Sequence, residues 1–123
     1  MNIALWIAAG VLAAAMLIAG ITKLTSPKEK LASRMAWTED YSPGMIKLIG
    51  LAELLAAIGL ILPAITGIAP ILVPLAAVGL AIVMIGAIVV HIRRGEAKEI
   101  VPSAVFLVLA LFIAWGRFGP YAF

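Results

Sequence analysis

The sequence has no cysteine and a single histidine, His91. Without cysteine there can be no disulfide, no thiol redox chemistry and no thiolate ligand for zinc or an iron–sulfur cluster. One histidine cannot hold a haem from both sides, and no H-E-x-x-H pair is present for zinc. A glycine-rich phosphate loop with its lysine is also missing, and no Ser–His–acid arrangement is legible. Charge is scarce: 12% of residues are charged, against about 25% in ordinary soluble domains.

What fills the chain instead is apolar. Of 123 residues, 65% are hydrophobic, and the mean hydropathy is +1.21. So few polar groups cannot cover a globule of this size. Leaving the surplus in water would cost roughly 25 cal/mol per Å², so the surplus is expected to face lipid. The length allows one domain, residues 1–123. The net charge of +3 does not point to nucleic acid, because the cations fall between apolar runs, where they meet headgroups and set topology.

The apolar runs predict four transmembrane helices, over residues 2–23, 45–62, 71–92 and 100–116. Residues Met1 to Thr22 carry no charge and as a helix span about 33 Å, enough for a hydrocarbon core of about 30 Å. No Lys or Arg precedes Lys23, which favours a retained helix over a cleaved signal peptide. Ala4, Ala8, Ala15 and Ala19 form a small-residue face for close helix contact. Gly59, Gly79 and Gly86 are expected to do the same. Ser26-Pro27-Lys28-Glu29 reads as a capping box with proline at the first helical position. It predicts a short interfacial helix, with Leu31, Met35 and Trp37 against the membrane. Tyr41-Ser42-Pro43-Gly44 ends that helix, and the uncharged stretch from Pro63 to Pro70 reads as a tight turn. Pro74 fits the first turn of the third span and Pro102 the start of the fourth. Trp37, Trp115 and Tyr121 read as aromatic-belt anchors, and the stretch from Arg117 to Phe123 as a short tail. The runs are apolar on every face, unlike the alternating strands of a barrel. The expected fold class is all-α: an integral membrane, up-down four-helix bundle with a short interfacial helix between helices 1 and 2.

Eight of the nine Lys and Arg residues fall at one end: Lys23, Lys28, Lys30, Arg34, Lys47, Arg93, Arg94 and Lys98. Only Arg117 falls at the other. The positive-inside rule puts loops 1 and 3 in the cytoplasm and both termini outside. The expected location is the cell membrane, an inner membrane where there are two.

Glu53 is the most informative residue. It interrupts the second span six residues after Lys47, about 9 Å along the helix axis. A carboxylate at that depth must be neutralised or paired, and must face the bundle interior. Lys47 lies about 120° away around the helix and is a poor partner. Lys23 and His91, at the same end, are better ones. Lys23, Lys47, Glu53 and His91 are therefore the candidates for a ligand or proton site. A structural pair that fixes helix register explains the same residues equally well. For Lys23, Lys28, Lys30, Arg34, Arg93 and Arg94, topology and contact with anionic lipid are a sufficient explanation.

Gly20-x-x-Lys23-Leu24 closes helix 1, Lys47-x-x-Gly50-x-x-Glu53 opens helix 2, His91-x-Arg93-Arg94-Gly95-Glu96 follows helix 3, and Pro102 opens helix 4. In order and spacing this pattern resembles the DoxX-like family of small four-helix membrane proteins, over nearly the whole chain. The resemblance implies membrane subunits associated with an archaeal thiosulfate:quinone oxidoreductase, or accessory factors of larger membrane complexes. It puts the family's polar positions on Lys23, Lys47, Glu53 and His91. Three functions stay open. The first is an accessory subunit or a bundle binding a lipid-like small molecule, not catalytic on its own. The second is a quinone-linked oxidoreductase subunit in which Glu53 and His91 exchange protons with a quinone head. The third is a small proton-coupled transporter. No cofactor is legible beyond that quinone. The expected partners are membrane lipids and a homo-oligomer or larger membrane complex.

Overall fold

The computed structural model describes residues 2–27, 30 and 41–122. The described residues form four long helices: α1 (Asn2–Thr25), α2 (Pro43–Thr66), α3 (Leu72–Arg94) and α4 (Ala97–Phe118). Each has 22–24 residues, about 33–36 Å of rise. All four are long and apolar enough to cross a membrane, so this is a multi-pass membrane protein. The expected interfacial helix lies outside the described residues.

Local chemistry sets the ends of the helices. Ser42 caps α2: its Oγ accepts the Met45 N–H at 3.2 Å, and Pro43 follows at the first helical position, where a missing N–H costs nothing. The helix therefore starts two residues before the expected Met45. Its far end also departs from expectation, because Pro63 does not begin a turn. The helix runs through it to Thr66 and stops at Gly67, whose left-handed backbone (φ 72°) directs its N–H to Pro63 O. Inside lipid, ending at residue 62 would strand several backbone groups, whereas one buried proline forfeits a single N–H···O bond. α4 likewise starts earlier than Ile100 and carries Pro102 inside it.

Each helix buries one stripe. On α1 it runs through Leu5, Ala8, Leu12, Met16 and Gly20 to Lys23, the 3–4 residue spacing of one helical face. With Leu60, Leu80, Met84 and Ile113 from the other helices, it makes a core of alanine and medium-sized aliphatics. The opposite faces expose Ile7, Ile18, Leu55, Ile82 and Val108, as a surface against acyl chains demands. Ala4 is exposed, and Ala15 and Ala19 are half-buried, so the anticipated alanine face is not the contact surface along its whole length.

Consecutive helices pack side by side, and α1 against α4 closes the ring. The closely packed pairs are α1 with α2 and α3 with α4. The α1–α2 seam is a glycine crossing. A Cβ on Gly20 would stand 2.7 Å from Gly50 O, and one on Gly50 would stand 2.7 Å from Lys23 Cβ. Gly59 makes a similar approach to Ala76, as its sequence position suggested. Gly79 and Gly86 do not: nothing lies within 4 Å of a Cβ built on either.

Gly50→Ala places a methyl group where backbone and lysine stem already sit, and is expected to destabilise the bundle by about 1–3 kcal/mol. Gly10→Ala, with open space at its Cβ, serves as the control. Unfolding of both variants in detergent checks this, and equal stabilities would rule out a tight seam.

Candidate functional site

The glycine crossing decides where two charges meet. Lys23 lies three residues past Gly20, and Glu53 three residues past Gly50. Because the helices run antiparallel, the lysine stem lies over Gly50 and points toward Glu53. Its Nζ donates to Glu53 Oε1 at 2.6 Å, with both side chains almost wholly buried. An unpaired charge here would carry a desolvation penalty of several kcal/mol. The short, charge-assisted bond is what allows both groups to stay inside.

A second pair forms where α3 hands over to α4. Gly95 (φ 70°) ends α3, with its N–H bonded to Ile92 O at 3.2 Å and the Glu96 N–H bonded to His91 O at 2.9 Å. This double bond pattern, a Schellman motif, folds the chain back on the last turn. It returns the Glu96 side chain to its own helix end, where Oε1 lies 3.1 Å from His91 Nδ1 and 3.3 Å from Arg94 Nε. A carboxylate only accepts, so Nδ1 carries the hydrogen. Nε2 accepts when the ring is neutral and donates when it is charged. The His91 hydrogen bond, followed by Arg94, holds the Glu96 carboxyl below its usual range, although partial burial works against it.

Between the two pairs lies a cavity of about 560 Å³. All four helices contribute to its wall. Its inner part is apolar, with Met16, Val83, Met84 and Phe106; its mouth is polar, with Lys23, Tyr41, Glu53, His91, Glu96, Glu99 and Ser103. Gly86 lines it too, which accounts for the open space at that glycine. A volume of this size, apolar with a few convergent polar groups, falls within the roughly 300–1,000 Å³ of small-molecule sites.

Of the four residues singled out from the sequence, Lys23, Glu53 and His91 come together on this cavity. Lys47 does not; it is exposed on the outer face of α2, as the angle between it and Glu53 requires. Glu96, Glu99, Ser103 and Tyr41 escaped sequence reasoning as site residues. The glycine at position 95 was the available signal for Glu96, since a left-handed cap turns the next side chain back. No group of three or more metal-ligating residues occurs among the described residues.

The opposite end of the bundle holds a polar group that the sequence did not suggest. Arg117, expected in a short tail after the fourth span, is buried near the end of α4. Its Nη1 donates to Asn2 Oδ1 at 2.6 Å and to Tyr121 O at 2.9 Å, and its guanidinium sits 5.7 Å from the Trp6 ring centre. Beside it, Leu5 packs onto Gly116 so closely that a Cβ there would fall 2.6 Å from the leucine methyls. Together these contacts hold α1 against α4. Trp115, which belongs to the expected aromatic anchors, is exposed and stacks on Phe112.

The model of the DoxX-like family matches residues 7–113. No curated protein and no solved structure matches the chain.

Removing one partner of the buried pair should cost more than removing both. Lys23→Met leaves Glu53 buried and alone, and is expected to lose about 3–5 kcal/mol, while Lys23→Met with Glu53→Met recovers most of that. Unfolding both variants in detergent measures the coupling. A double variant no more stable than the single would mean that the two charges are not paired.

Proposed function

The chain belongs to the DoxX-like family, and on that footing we propose that it is a membrane-embedded binding protein for a small amphipathic, lipid-like molecule, acting as an accessory component without chemistry of its own. The observation that carries this reading is the cavity of about 560 Å³, apolar inside and polar at its mouth, walled by all four helices. A tail would lie against Met84 and Phe106, and a head would meet Glu53, His91 and Glu99. Lys23, Glu53, His91 and Glu96, on the cavity wall, are tied into ion pairs. Such pairs orient a head group well, but offer no nucleophile activated by a base.

A quinone-linked subunit would use the same cavity, with His91 and Glu53 as proton-exchanging groups. An oxidised quinone presents only carbonyl acceptors, and the mouth offers carboxylates more readily than donors. The binding reading therefore has the better support.

The cavity mouth belongs to the end that carries eight of the nine cationic residues, which supports placing it at the cytoplasmic leaflet, with the Asn2 and Tyr121 end outside. The cysteine-free chain makes this easy to test. In intact cells a membrane-impermeant maleimide is expected to label Gly119→Cys, and to label Lys98→Cys only after lysis. The reverse pattern overturns the orientation.

Occupancy is tested by native mass spectrometry of protein extracted directly from membranes. Wild-type protein is expected to retain an amphiphile that Gly86→Phe, whose ring grows into the cavity, does not. If the two proteins carry the same adducts, the cavity is not a binding site.

A further inference from the structure

The hydrogen-bonding capacity of the mouth is one-sided. Among the described residues Lys23 is the one lysine or arginine in the cavity wall, and its Nζ is held by Glu53. Glu53 and Glu96 each accept at Oε1. An ionised carboxyl has about four lone-pair positions, so both keep capacity to accept more. His91 gives its Nδ1 hydrogen to Glu96. The Ser103 hydroxyl donates to Glu99 O at 3.3 Å, which leaves its oxygen to accept. Glu99 lines the rim, and its carboxylate has no ion pair among the described residues.

Charge points in the same direction. Among the described residues the wall carries three carboxylates, of Glu53, Glu96 and Glu99. Lys23 balances the first and Arg94 the second. The third is balanced by no ion pair among the described residues. A head group bringing its own acceptors or negative charge would meet lone pairs and, at the rim, the like charge of Glu99. A head that brings N–H donors and positive charge would satisfy them.

Resting on the proposal that this cavity binds an amphiphile, we infer that it selects a long-chain primary amine over a carboxylate of the same chain, with the ammonium head held at the Glu99 rim between Glu53 and Glu96.

Three compounds with one tail and different heads test this: tritiated dodecylamine, 1-dodecanol and dodecanoic acid. Their binding to bead-immobilised protein in non-ionic detergent is measured near neutral pH for wild type, Glu99→Gln and Gly86→Phe. The amine is expected to bind at least about tenfold more tightly than the acid, with the alcohol between, as a difference of one charge interaction in a partly desolvated site implies. Glu99→Gln should bring the amine toward the alcohol, and Gly86→Phe should abolish binding of all three. If the acid binds as well as the amine, and both are lost in Gly86→Phe, the head-group selectivity is wrong while the cavity remains a binding site. Amine binding that is insensitive to Glu99→Gln also overturns the assignment. If no compound distinguishes wild type from Gly86→Phe, the selectivity and the binding function fall together.

Discussion

The salt bridge from Lys23 to Glu53 across the α1–α2 seam is the constraint on which the cavity end of the molecule depends. Two charges inside an apolar bundle are tolerable only at hydrogen-bond distance, and these meet at 2.6 Å. That distance requires the two backbones to lie nearly in contact, which they do at Gly20 and Gly50. Glycine pair and ion pair form one device: the first permits the approach, and the second penalises any sliding out of register. A helix slipped by one turn would strand a carboxylate among methyl groups.

The rest of the architecture follows from how the closely packed pairs are joined. α1 with α2, and α3 with α4, each carry an ion pair at the same end, Lys23–Glu53 in one and the His91–Glu96–Arg94 group in the other. At the far end Arg117 holds α4 to Asn2 of α1, and Leu5 fills the space over Gly116. One end is therefore closed by tight packing. At the other, the polar groups stand around a cavity. Side chains of moderate size, such as Met16, Met84 and Phe106, shape its apolar part, and methionine in particular adapts to the shape of a guest.

On the proposed reading, ion pairs prepare the polar mouth as a binding site. Pairing fixes Glu53 and Glu96 in place and consumes the cations that would otherwise neutralise a ligand's acid. What remains facing the cavity is mainly lone pairs. The head-group preference thus arises from what the protein has already satisfied internally, a residual that cannot be read from the charge of the whole chain, which is positive.

By itself the sequence determined the membrane setting, the number of helices and their up-down order. Those follow from apolar run lengths and from the scarcity of charge, which no tertiary contact can alter. It also singled out Glu53 and offered Lys23 and His91 as its partners, because a lone carboxylate at lipid depth leaves few options; Lys23 takes that place, and His91 pairs with Glu96 instead. Only the tertiary structure decided the remainder. Pro63 lies inside a helix because lipid makes an early stop costlier than one lost hydrogen bond. Gly20 and Gly50, and not the alanine stripe or Gly79 and Gly86, bring backbones together on the α1–α2 seam, since a glycine's role depends on what stands opposite it. Glu96 reaches His91 because Gly95 turns the chain back, and Arg117 is buried because α1 brings Asn2 and Trp6 to it. Run length and charge are properties of a segment alone; a partner across a helix seam is a property of two segments, and the sequence does not state their relative placement.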